Sequence, residues 1–598
     1  NQQLKVTSSG TVDNTGGTMV SQHQQLTLKT GEMDNTDGLL KSGATLSLNT
    51  QGQKLTNAQS GEKHGIRSGS DLTLEAGEID NTAGVINSQG ETTLTSHNLN
   101  NTDGKILSQG KADLTTQAIN NQRGRIQSVA SLDLDTQQQE LVNTDSGKNG
   151  GIIAKDALEL TTGKLINDRG SIRGDQTHIN THQQALNNLA GTIASKKNLQ
   201  LNSGELNSTG GRIESAGDMT LDTHGEKLTT AKSGDTGGVI SKGTLTLTTG
   251  EIDNHDGVII GKGTTTVTGG ELNNRGGTLA SETGALKLTV GKTDNNGGLL
   301  QSVDDLTLDT QGELLTNINS GESGGIISTG NMNLTTGIID NQQGKVIANK
   351  QLKVTSTGTV DNTNGKMFSE YQQLTLNTGE LNNTSGLLQS KTTLSLNTHG
   401  QKLINTQSGD KHGIFSGGDL TLEVDEIDNT AGMIDSQGDT TLTSHNLNNT
   451  KGKILSKGKA DLTTQAVNNQ HGLIQSAASL DLDTQKQELV NTDSGKYGGI
   501  VAQDTLKLTT GKLINDRGFI RGDETHINTQ KQSLHNKAGT IVSKKNLQLD
   551  SGELDNTGGK IESAGDMTLD THGEKLTTAK SGDNGGIISK GTMTLTHR

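Results

Sequence analysis

One apolar position returns along this chain every 20 or 21 residues. It runs from Met19 through Leu40, Ile66, Ile86, Ile106 and Ile126 to Ile541, Ile561 and Ile587. It occurs 27 times, and only seven spacings lengthen, each to 26 residues. Two residues after every one of these anchors stands Ser, Ala or Gly. A period of this length marks an architecture in which each unit buries its apolar face only by stacking on its neighbours. A longer repeat contains the shorter one. Residues 3–250 align without a gap on residues 351–598, at an offset of 348, with 195 identities in 248 positions. The array grew by duplication of a long block, and residues 1–598 read as a single repeat domain.

Each unit contains three short extended pieces. The first carries the anchor, as in Gly17-Thr18-Met19-Val20-Ser21, and the second alternates apolar and polar residues, as in Leu26-Thr27-Leu28 or Leu46-Ser47-Leu48. The third is shorter, as in Met33-Asp34-Asn35. Alternation with period 2 is the mark of half-buried strands, whereas a helix would place apolar residues at i, i+3, i+4 and i+7. Because the three pieces return in the same order, like stacks on like. A spacing of ~20 residues also satisfies the dozen or more that a parallel connection requires. The expected fold is all-β: a parallel β-helix with three faces and right-handed crossovers. At about 4.8 Å per stacked strand its 27 turns would extend roughly 130 Å.

The turn before the anchor has its own signature. In all 20 turns of regular length the residue two before the anchor is Gly, as at Gly17, Gly38, Gly84 and Gly104. Such a Gly serves either a positive φ or a close approach of two backbones. Three residues before that Gly stands Asn in 19 of the 20, with Ser208 the exception. One amide per turn at one corner could bond along the axis as an Asn ladder. The seven longer units gain about six residues ahead of a Gly and the anchor, first in Asn57-Ala58-Gln59-Ser60-Gly61-Glu62-Lys63-His64-Gly65. Every fourth turn therefore carries a polar loop, either a tolerated insertion or the mark of a binding face.

Composition removes most other functions. The 598 residues include 81 Gly but no Pro, Cys or Trp, only two Tyr and three Phe, and a net charge of −15. No basic block or aromatic platform is present to meet nucleic acid. No apolar run approaches the length that spans a bilayer. Without Cys there are no disulfides, thiolate metal sites or Cys nucleophiles. Glycoside cleavage would need two carboxylates facing across a cleft, but Asp133 and Glu159 fall at outward positions that other turns fill with Thr27, Ser47 or Thr73. No His-Glu-x-x-His motif is present, and no Lys-Ser/Thr follows the Gly-Gly corners as a P-loop requires. An ice-binding Thr face is disfavoured by the same mixed, charged positions. Neither an enzyme nor a cofactor is expected.

All five aromatics lie in the second long copy: Phe368, Tyr371, Phe415, Tyr497 and Phe519 replace Val20, His23, Arg67, Asn149 and Ser171 of the first. Phe368, Phe415 and Phe519 adjoin anchors, so alternation points them outward. Lone exposed apolar residues are ordinary, yet these five are the candidates for a surface contact with a receptor or another rod.

Taken together, Asp-Asn-Thr-Gly-Gly at 13–17, Leu-Thr-Leu at 26–28 and Thr-Gly-Glu-Met-Asp-Asn at 30–35 resemble the filamentous-haemagglutinin repeat of bacterial two-partner secretion exoproteins. These include adhesins and contact-dependent growth inhibition effectors. The resemblance covers essentially the whole chain. It implies an extracellular β-helical stalk, exported through an outer-membrane transporter partner and carrying a toxin or adhesive region toward a receptor on a target cell. It also implies a secretion domain and a distal effector region that this sequence does not contain, so the array is expected to be a fragment.

Overall fold

The computed structural model describes residues 3–596, which form strands, turns and loops with no helix among them. Contacts divide the chain into two compact units, residues 1–303 and 304–598. Each unit is a right-handed parallel β-helix built from three sheets. Unit 1 holds 14 of the 27 anchors and unit 2 the other 13.

The turn beginning at Lys105 shows why the repeat folds this way. Its anchor strand is Lys105–Ser108, its Leu-X-Leu strand Ala112–Thr115 and its third strand Ala118–Asn120. The side chains of Ile106, Ala112, Leu114 and Ile119 point inward and are buried, as are those of Ser108, Thr116 and Asn121 at the three corners. Residues between them face out. The cross-section is thus an apolar centre with a small polar residue at each corner, which a chain poor in large side chains can fill. Each strand pairs in parallel with its counterpart one turn on, in unshifted register: Ile86 with Ile106 with Ile126, and Leu94 with Leu114 with Leu134. Unit 2 repeats the pattern, as in Ile434 with Ile454 with Ile474.

The corner polar residues bond along the solenoid rather than to solvent. In unit 1 the side-chain amide of Asn14 donates to Asn35, Asn35 to Asn57, Asn57 to Asn81, and so on to Asn167 and Asn188, at 2.7–2.8 Å. Ser208 accepts from Asn188 at 3.0 Å, and the ladder resumes where the Thr230 hydroxyl donates to Asn254 at 2.6 Å. In unit 2 the same ladder runs from Asn317 through Asn341 and Asn362 to Asn536 and Asn556. Each bond nets only about 1 kcal/mol, but an unpaired amide here costs about 1–3 kcal/mol, so the ladder holds the stacking register.

Of the two roles open to the corner Gly, the structure selects close approach. The left-handed residue is the one before it: Gly16 at φ 60°, Asp37 at 47°, Ala83 at 48° and Asp103 at 54°. A Cβ on Gly104 would lie 2.2 Å from the Asn81 carbonyl oxygen and 2.5 Å from Asn101 Oδ1. The glycine is required because the ladder and the preceding turn's backbone press against it. Positive φ at a conserved spacing does belong to Gly in the longer turns, where the residue just before the anchor is left-handed: Gly65 at 93° and Gly151 at 100°.

Candidate functional site

Outward positions distinguish the sheets. On the Leu-X-Leu sheet they are polar throughout, as in the stacked series Thr27, Ser47, Thr73, Thr93, Asp113, Asp133 and Glu159. On the anchor sheet apolar and polar residues mix, and unit 2 stacks Ile347, Phe368, Gln389, Phe415 and Asp435 in one outward column.

This register brings together two of the five aromatics. Phe368 and Phe415 are half-buried on that column, two turns apart, with Gln389 between them. Tyr371 lies in the turn that follows, 61% exposed, and its hydrogen bond to Glu370 raises the phenol above its ordinary range. Tyr497 is 78% exposed in a six-residue loop, with the Lys496 ammonium 5.1 Å from the ring centre. Phe519 is half-buried on the anchor sheet beside Thr540, and its N–H donates to the loop residue Ser494 at 3.0 Å. Thus Phe368 and Phe415 share one column, Phe519 and Tyr497 flank one loop, and Tyr371 stands apart.

Two carboxylates on these faces are raised. Partial burial, followed by the charge of Asp113 one turn away, pushes Asp133 above the usual carboxylate range. Burial beside Phe415 does the same to Asp435, opposed by Lys457. Asp113, Asp133 and Glu159 form a column on one flat face and do not oppose one another across a cleft. Among the described residues no group of three or more His, Asp or Glu side chains is placed to hold a metal ion.

The six-residue loops have a structural role that their composition hid. Each begins after the ladder residue, so Asn57, Asn143, Asn317, Asn405 and Asn491 stay in the ladder while the insertion bulges outside. The loop Ser is buried, and its hydroxyl accepts a backbone N–H of the following turn: Ser146 from Ser171, Ser233 from Val258, Ser320 from Lys345, Ser408 from Met433 and Ser494 from Phe519, at 3.0–3.1 Å. In regular turns the carbonyl of the corner Gly fills that place, as Gly84 does for Lys105. The recurrent Ser-Gly of the loops was the available signal.

A family model described as the haemagglutinin repeat matches residues 1–59, 53–115, 98–141, 131–189, 180–225, 220–283, 272–317, 314–364, 372–410, 415–495 and 523–596. The chain belongs to the haemagglutinin-repeat family. No curated protein and no solved structure matched. Haemagglutinin-repeat proteins are typically secreted to the cell surface, and their β-solenoid is a structural and adhesive fold. The matches leave 365–371, 411–414 and 496–522 uncovered. Phe368, Tyr371, Tyr497 and Phe519 fall in those segments, and Phe415 is the first residue of a matched one.

Proposed function

We propose that this haemagglutinin-repeat chain is a segment of an extracellular stalk. Exported through an outer-membrane two-partner transporter, the stalk projects a distal toxin or adhesive region toward a target cell, as in contact-dependent growth inhibition or filamentous-haemagglutinin exoproteins. One observation carries the reading: within each unit the sheets pair every turn with the next, an Asn ladder runs along one corner of most turns, and the loops bulge outside that scaffold. Such an array gains length by adding turns and folds by local templating as it emerges from a transporter, with no Pro to introduce a slow isomerisation. In the test, the labelled 598-residue chain is titrated against erythrocytes, epithelial cells and bacteria over a salt series. A spacer shows no saturable binding.

The second reading makes the stalk itself adhesive. It is favoured by the shared column of Phe368 and Phe415 and by the place of the other aromatics, with Phe368, in segments that the family matches leave uncovered. Saturable binding that disappears in the Phe368→Val, Phe415→Arg double variant, which restores the residues of the first copy, would establish it.

A further inference from the structure

Unit 1 carries two patches of opposite charge on different sheets at overlapping levels. On the Leu-X-Leu sheet Asp113, Asp133 and Glu159 occupy the outward position of three successive turns, in register. Lys111 pairs with Asp113 at 2.8 Å and His178 hydrogen-bonds Glu159, so the ends of the column have partners. Asp133 between them has no cation within ion-pair distance. On the anchor sheet a shallow groove runs among Arg125, Lys155, Arg173, Lys196 and Lys242, floored by small residues such as Ala154, Gly174 and Ser195. Its one carboxylate, Glu214, is held by Arg212. Among the described residues none of the five cations has a carboxylate within ion-pair distance, a concentration of positive charge in a chain of net −15.

The second long copy serves as an internal control. There Arg125 becomes Leu473, Lys155 becomes Gln503, and Ala194 on the groove floor becomes Val542. On the other face Glu159 becomes Lys507, whose ammonium pairs with Asp481 at 2.9 Å. The groove loses two cations and the column exchanges an anion for a cation. Independent drift of two solvated faces gives no reason for both to discharge in the same copy; a shared role in the first copy does.

We propose that unit 1 binds unit 1 of a second copy of this chain side by side, with the acidic column of one seated along the basic groove of the other. The column steps by one turn, about 4.8 Å, and Arg125, Lys155, Arg173 and Lys196 stand on four successive turns, so each carboxylate can meet a cation at its own level. The groove's small floor residues let carboxylates approach, and Asp133 gains the cation that its own chain does not provide. Because the patches lie on different sheets, two copies facing each other join only one column to one groove. The contact is heterologous and leaves a free patch at each side for further copies. Its charge pairs make it salt-sensitive.

Sedimentation velocity of the full chain across concentration and salt tests this. At low salt the wild type forms species larger than a dimer, and high salt returns it to one chain. An Asp133→Asn, Glu159→Gln variant and a Lys155→Gln, Arg173→Gln variant each stay monomeric alone, and mixed in equal amounts they form dimers and nothing larger. The counterpart Gln503 shows that the groove accepts an uncharged amide at position 155, and circular dichroism of each variant verifies folding. A wild type that is monomeric at every concentration overturns the proposal, as does association that neither variant weakens. A monomeric wild type that binds dextran sulfate, with binding lost in the groove variant, overturns it in favour of a polyanion ligand.

Discussion

The side-chain amide of Asn81 donates to the side-chain carbonyl of Asn101, one turn further along and 2.7 Å away, and both residues are fully buried. Asn101 passes the bond on to Asn121 at the same distance. The amide is well suited to this corner because one side chain offers a donor and an acceptor in opposite directions. Asn101→Ala takes from Asn81 its ladder acceptor, leaving the longer bonds to the Gly84 and Lys105 carbonyls, and from Asn121 its donor, and is expected to cost about 1–3 kcal/mol. Asn101→Ser, the residue that position 208 uses, retains an acceptor and costs less. Denaturant midpoints of the two variants, read at constant m, check the order.

Gly104→Ala places a Cβ 2.2 Å from the Asn81 carbonyl oxygen, so a backbone or the ladder must move. The expected loss is about 3 kcal/mol. Gly61, in the first loop, has φ 55° but nothing within 4 Å of a Cβ, so Gly61→Ala costs only the left-handed penalty of about 1–2 kcal/mol. The reverse substitution at Ala83, where φ is 48°, relieves that penalty and stabilises. Thermal unfolding of the three variants separates crowding from backbone strain.

Ser494→Ala removes the acceptor of the Phe519 N–H, 3.0 Å away. A cost of about 1–3 kcal/mol follows from the stranded donor. Shortening the exposed part of the same loop while keeping Ser494 and Gly499 changes stability far less. Chemical denaturation of the two variants distinguishes a structural serine from a merely flexible loop.

Asp435 is raised above the usual carboxylate range by partial burial on the anchor sheet. A raised carboxylate leaves folding stability whole below the unfolded value near 4 and reduces it as pH climbs through the folded value. Asp435→Asn, which restores the first copy's Asn87, is therefore expected to raise the unfolding temperature at pH 7 and leave it unchanged near pH 3. Equal gains at both pH values would assign the effect to packing instead.

The period, the three strands per turn, their parallel pairing and the Asn ladder were legible because each recurs at one register. Ile106 or Asn101 is a single instance of a pattern written many times over. What repetition could not separate was two causes for one residue. A Gly two before the anchor of each regular turn fits positive φ and close approach equally until Asn81 and Asn101 are seen against Gly104. Ser146 reads as an ordinary turn former until its hydroxyl is found under the Ser171 N–H. The pairing of Phe368 with Phe415 on one column needed the register of Gln389 between them. The groove at Arg125 and Arg173 needed residues of several turns laid side by side.

The central claim is that, within each unit, every turn is held to the next by its sheets, with a corner ladder along most of its length, while the six-residue loops stay outside that scaffold. Hydrogen–deuterium exchange of the intact chain tests it most directly. The account predicts strong protection of the backbone amides in segments such as 98–108 and 446–456, and exchange within seconds at the exposed loop residues 61–63 and 495–497. Loops protected as well as strands, or ladder corners that exchange as fast as loops, would contradict it.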